Sequence, residues 1–210
     1  MLVLPNVLET LFRLAILVVA FPIHEFAHAW MATRFGDPTP KHAGRLTLNP
    51  IVHLDLWGTI FFLLTGFGWA KPTPISPYYL RSPRAYFWVA FAGPLSNLLL
   101  AMAAAAAHRL ASPFLSATPL GRLTLHFLAA VVFFDILLFF FNLIPIPPLD
   151  GDKVIAGLFP RFWQRYLAPL QPYAMPLLLV VLFVLPMLHI DVLGWLVVWP
   201  TVKLGHLLLG

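Results

Sequence analysis

Long apolar runs fall near residues 8–33, 56–69, 86–108, 123–144, 174–189 and 191–209, separated by short stretches where proline, glycine and basic residues gather. A helix needs about 20 mostly apolar residues to cross a bilayer, and five of the six runs come close to this. The run at 56–69 is shorter and carries Gly58, Gly66 and Gly68 before Trp69-Ala70-Lys71-Pro72-Thr73-Pro74. It predicts a re-entrant segment or short β-hairpin near 56–80 that enters the membrane and returns on the same side. The expected fold is an all-α polytopic membrane protein, with about five transmembrane helices plus that segment in a single membrane-embedded domain over 1–210. The first run lacks a basic n-region, has Arg13 in its middle and precedes no soluble domain after a small-residue cleavage site. It reads as a retained transmembrane helix.

Composition strengthens this picture. Hydrophobic residues make up 60% of the chain and charged residues 10%, with a mean hydropathy of +0.87, whereas about a quarter of a soluble domain is charged. The net charge of +5 does not indicate nucleic acid, because the basic residues are dispersed among short loops rather than gathered in a patch. If the 56–80 segment returns to the side it left, Arg34, Lys41, Arg45, Lys71, Arg81, Arg84, Lys153, Arg161 and Arg165 share one side, with Arg109 and Arg122 opposite. The positive-inside rule makes the richer side cytoplasmic. The chain has no cysteine, which excludes disulfides, thiolate metal sites and thiol nucleophiles.

The first run contains His24-Glu25-Phe26-Ala27-His28. Residues four apart share a helix face, so both imidazoles can reach one metal ion while Glu25 projects beside them toward a bound water. This is the layout of a zinc peptidase. Ionisable side chains within a membrane segment are costly and usually functional, and one of only two glutamates in the chain, Glu9 and Glu25, sits between these histidines.

A catalytic zinc takes three protein ligands and keeps one open position. No glutamate follows Glu25, which excludes the thermolysin-like set. Met31 and Arg34 stand where a metzincin continues to glycine and a third histidine. Aspartates and other histidines remain, and Asp150 is the best placed of them, in Asn142-Leu143-Ile144-Pro145-Ile146-Pro147-Pro148-Leu149-Asp150-Gly151. Three prolines break a membrane helix there, which is tolerated only where the freed backbone groups face protein or a water-filled cavity.

Four stretches together resemble the site-2 protease family of intramembrane zinc metallopeptidases, in particular its small bacterial members without a PDZ domain. They are His-Glu-Phe-Ala-His at 24–28, Gly-Arg-Leu-Thr-Leu-Asn-Pro at 44–50 with His53 and Asp55 after it, Ala-Gly-Pro-Leu-Ser-Asn at 92–97, and the proline-rich segment ending at Asp150-Gly151. The resemblance implies a catalytic core over about 8–151, followed by carboxy-terminal helices over about 174–209. It implies Zn2+ held by His24, His28 and Asp150, with Glu25 as catalytic acid and base. Asn97 is the candidate donor to the oxyanion of the tetrahedral intermediate. The expected substrates are transmembrane proteins or remnant signal peptides, cut within the lipid bilayer of a bacterial cell membrane by a site facing the cytoplasm. Residues 66–80 are expected to offer substrate an extended edge strand. Oligomeric state is left open by the sequence.

Asp135 and Asn142 are seven apart and face the same way on one helix, so they are candidates for orienting a ligand from behind. His53 and Asp55 read as solvated or turn-forming residues. The remaining histidines, His42, His108, His126, His189 and His206, mostly fall at predicted span ends. Two rival readings share these features: a zinc-binding membrane scaffold or assembly factor without proteolysis, and a transporter built on the broken fourth helix. Glu25 argues against the first, since metal binding alone needs no general base. The lack of a detectable inverted repeat argues against the second.

Overall fold

The computed structural model describes residues 7–66 and 68–210; residues 1–6 of the expected domain and Phe67 of the expected re-entrant segment lie outside it. Seven helices frame the site among the described residues. They are α1 Val7–Arg34, α2 Leu56–Thr65, α3 Pro83–Leu115, α4 Pro119–Asn142, α5 Asp150–Leu158, α6 Pro160–Met187 and α7 Gly194–Leu209. Helices α1, α3, α4 and α6 are long and apolar enough to cross a bilayer, while α2 and α7 are shorter apolar helices. The five expected spans therefore correspond to these four long helices and the shorter α7.

Helix starts follow local chemistry. Asp55 caps α2 through the Gly58 N–H, Ser82 caps α3 through that of Ala85, and Thr118 caps α4 through that of Gly121, each satisfying a donor that the first turn leaves free. Helix α6 begins well before the expected run at 174–189, because Arg161 and Arg165 interrupt the apolar pattern without interrupting the helix. Its winding varies. Trp163–Leu167 and Val180–Val184 are wide π turns, and Ala168–Tyr173 is tightened to a 3-10 helix, as Pro169, Pro172, Pro176 and Pro186 remove donors from the ladder.

Leu54 pairs with Ala70 in one antiparallel bridge, so the segment around α2 leaves and returns at the same place, as a re-entrant element must. The element is helical. Residues 71–76 beyond it run irregularly without a strand, and among the described residues no strand forms. Pro72, Pro74 and Pro77 lack the N–H groups that a ladder needs, so the β-hairpin form and the edge strand expected over 66–80 reduce to that single bridge. Arg13, which interrupts the apolar face of α1, donates to the Leu63 carbonyl near the end of α2 at 3.1 Å. This gives a charge at membrane depth a backbone partner.

Helix α3 is the centre of the packing, lying against α4, α1 and α5. Its buried Ala101, Ala104 and Ala105 meet Val132 and Ile136 of α4, small residues that let two membrane helices approach closely. Ile16, Leu17 and Phe21 of α1 pack with Phe62 of α2 and Leu138 of α4. Large apolar side chains such as Trp57, Phe114 and Trp195 cover the exterior, which suits contact with lipid.

Between α4 and α5 the proline-rich segment closes as tight turns, with Ile146 N–H on the Ile144 carbonyl and Leu149 N–H on that of Ile146. Helix α5 folds back so closely that a Cβ at Gly151 would stand 2.4 Å from the carbonyl oxygens of both Leu143 and Ile144. That approach requires glycine. It delivers Asp150, in the first turn of α5, to the face of α1 that carries the histidines.

Candidate metal centre

His24 and His28 stand one turn apart on α1, and Asp150 reaches them from α5. The Nε2 atoms of both histidines lie 3.1 Å from Asp150 Oδ2 and 3.1 Å from each other. All three side chains are buried, and they are the group of histidine and acidic side chains among the described residues able to share one metal ion.

Hydrogen bonds behind the rings fix what the front atoms can do. His28 Nδ1–H donates to the Val89 carbonyl of α3 at 2.7 Å. A carbonyl only accepts, so the neutral ring carries its proton on Nδ1 and presents a bare Nε2. His24 Nδ1 lies 2.6 Å from Asn97 Oδ1, also on α3. Three acceptor atoms thus converge in a buried space, an arrangement that needs either protons or a cation at its centre. Lys153 Nζ holds the other carboxylate oxygen, Asp150 Oδ1, at 3.2 Å. Burial pushes the Asp150 carboxyl up; where protons on the imidazoles stand in for a cation, the charge on His28, the Lys153 ammonium and the hydrogen bonds of the two protonated rings outweigh it. The group lies well below the usual carboxylate range and presents an anion to the cluster.

Glu25 is buried beside the histidines. Its Oε2 accepts the Thr73 backbone N–H at 2.8 Å, and its own carbonyl accepts the Thr73 hydroxyl at 3.2 Å. The segment after α2 is therefore pinned against α1 beside the cluster, and Ser76 N–H on Asp37 Oδ2 at 2.7 Å pins it a second time. Gly93 of α3 faces the rings directly. A Cβ there would lie 2.2 Å from His28 Nε2 and 2.7 Å from His24 Cε1.

Asn97 is fully buried with both ends of its amide engaged, the oxygen with His24 and the nitrogen, as donor, with Asp135 Oδ1 of α4 at 2.7 Å. Asp135 thus joins the cluster at one remove. Asn142 does not, since its amide donates to the Leu138 carbonyl of its own helix at 3.0 Å. His53 is fully buried rather than solvated and donates to the Thr47 carbonyl at 2.7 Å, tying a turn, while Asp55 caps α2. Sequence reasoning did not anticipate Val89, Lys153 or Thr73 as partners. Two of the three act partly or wholly through backbone atoms, which leave no side-chain signal.

Residues 12–117 match peptidase family M50. The chain is 41% identical over 195 residues to the candidate zinc metalloprotease YwhC of Bacillus subtilis, covering 90% of this chain and 85% of that protein. It is 34% identical over 185 residues to Rip2 of Mycobacterium tuberculosis strain H37Rv, named likewise, covering 85% and 67%. Against Rip2 of Mycolicibacterium smegmatis the identity is 31% over 172 residues, covering 80% and 64%. No solved structure matches the chain.

Proposed function

The chain belongs to peptidase family M50 and is a metalloprotease, and from that premise we propose that it hydrolyses peptide bonds in or beside the transmembrane segments of other membrane proteins. His24, His28 and Asp150 are the ligands of one zinc ion, and Glu25 is the general base and acid.

The observation that carries the ligand set is the convergence of three buried acceptor atoms, each 3.1 Å from the others. Zinc bonds of about 2.0–2.2 Å in tetrahedral geometry ask for donors about 3.3–3.6 Å apart, so the three atoms need to open by only a few tenths of an ångström to take that ion. The donor set, two neutral imidazoles and a carboxylate, is of the nitrogen and oxygen type found in catalytic zinc sites. Bound there, zinc would supply Lewis-acid polarisation and lower the pKa of a water toward 7.

The chain's own residues supply the rest. Glu25 accepts the proton of the attacking water and returns it to the leaving amine. Asn97 keeps one amide hydrogen beyond the one it gives to Asp135, and it is our candidate for the neutral donor to the negative charge that develops on the scissile carbonyl. A transmembrane substrate hides its carbonyls in helical hydrogen bonds and must unwind locally to be cut. The segment at 70–76, pinned beside Glu25, is where an unwound stretch meets the site. Regulatory membrane proteins and remnant signal peptides are the substrate classes that fit. The excess of basic residues on one side supports a cytoplasmic-facing site, and the bacterial source of the relatives supports a bacterial cell membrane.

Metal analysis tests this reading. Protein purified in mild detergent should hold about one zinc per chain, and chelation should stop cleavage of a transmembrane reporter that added zinc restores. Well-folded wild-type protein without zinc would overturn the proposal. Gly93→Ala probes the same space. The added methyl would displace the rings, at the roughly 1–3 kcal/mol that overpacking costs, so zinc affinity should fall about ten-fold in a chelator competition.

A further inference from the structure

We propose that Asp135 is a positioning residue for the metal centre, which fixes the tautomer of His24 by holding the amide of Asn97 in one orientation. The inference rests on the zinc reading above and deepens it.

The two ligand histidines are oriented by different devices. Behind His28 stands the Val89 carbonyl at 2.7 Å, which can only accept. Behind His24 stands the Asn97 amide at 2.6 Å, and an amide offers an oxygen at one end and an NH2 of nearly the same shape at the other. If the NH2 end faced His24, Nδ1 would have to accept. The ring proton would then sit on Nε2, aimed at His28 and Asp150, and that nitrogen could not ligate a metal. The amide by itself does not choose between these states.

Asp135 chooses. Its carboxylate offers acceptors, so it takes the NH2 end of Asn97, at 2.7 Å, and turns the oxygen toward His24. The proton of His24 is thereby held on Nδ1 and its Nε2 is left bare, in the same state as that of His28. Three side chains from α4, α3 and α1 form one directed chain of hydrogen bonds that ends at the metal position.

The cost of Asp135 supports this role over a packing one. Asp135 and Asn97 are both fully buried, and Asp135 Oδ2 has no hydrogen-bond partner. The residue borders an apolar cavity of about 230 Å³ between α1, α3 and α4, lined by side chains such as Val19, Leu100 and Val131. A half-satisfied carboxylate in apolar surroundings is a poor stabilising element, and ionisable residues kept at such positions are as a rule functional. The cavity also leaves room for an apolar replacement.

The test compares zinc affinity, by chelator competition, and the visible spectrum of the cobalt-loaded protein in four forms: wild type, Asp135→Leu, Asn97→Asp, and the exchange Asn97→Asp with Asp135→Asn. Asp135→Leu should bind zinc about 10–100-fold more weakly, the usual cost of losing an outer partner, with an altered cobalt spectrum. Asn97→Asp alone sets two carboxylates against each other and should also bind weakly. The exchange should recover affinity to within a few-fold of wild type, because the carboxylate now at position 97 accepts from both His24 Nδ1–H and the amide now at position 135. Unchanged affinity and spectrum in folded Asp135→Leu would overturn the inference. So would an exchange that binds no better than Asn97→Asp, which also decides the matter if Asp135→Leu does not fold. A folded wild type that binds no metal would instead overturn the zinc reading, and this inference with it.

Discussion

Glu25→Gln should lower the rate of peptide cleavage by about 10²–10⁴-fold, the range that a positioned general base and acid contributes, while zinc content stays at that of wild type. The two side chains are nearly the same shape, and the amide oxygen of glutamine can still accept the Thr73 N–H that Glu25 Oε2 accepts at 2.8 Å. The segment at 70–76 should therefore stay pinned and the fold intact. What the amide cannot do is take a proton from water and hand it to an amine. The separation of the two readouts is the informative part, since a protein that merely stores or senses the metal would be indifferent to this change. Single-turnover cleavage of a transmembrane reporter, measured beside metal content on the same sample, checks it. Parallel loss of zinc would place Glu25 among the ligands rather than beside them.

Asp150→Ala should have the opposite signature, losing zinc and cleavage together. It removes one of the three proposed ligands and leaves two neutral imidazoles, with Lys153 released from its 3.2 Å contact with Asp150 Oδ1. A cation in the freed ammonium's neighbourhood adds repulsion to the lost bond. The fall in zinc affinity should well exceed the roughly 10–100-fold cost of removing an outer partner, enough for dialysis against a weak chelator to strip the protein. Metal content after such dialysis, with Glu25→Gln as the folded control, is the measurement. Zinc retained in full by Asp150→Ala would show that another residue completes the site.

The parts of this site that were legible in the sequence are those set by local periodicity. The four-residue spacing of His24 and His28 needs only a helix, and the apolar run around them supplied one. Asp150 was legible because prolines at 145, 147 and 148 break a membrane helix at a place where a break is expensive. The segment over 56–80 was legible as short and glycine-rich, but its form was not. Prolines that suggested an extended edge also deny it the donors of a ladder, and one bridge between Leu54 and Ala70 is what remains. The start of α6 was obscured because charge ends an apolar run sooner than it ends a helix. Asp135 could be recognised as costly from sequence but not assigned, since its partner Asn97 lies on another helix and meets it only through the packing of α3 on α4.

The carbonyl behind His28 carries an implication for how this site changes by mutation. Val89 contributes a backbone atom, so replacement by another residue of similar size leaves that hydrogen bond in place, and a single codon change there has no direct way to delete it. His24 depends on two side chains that one substitution each can remove. Genetic variation in metal affinity should therefore accumulate asymmetrically, through positions 97 and 135 rather than 89. A mutational scan selected for tighter or looser zinc binding would find its adjustable setting on the His24 side of the pair.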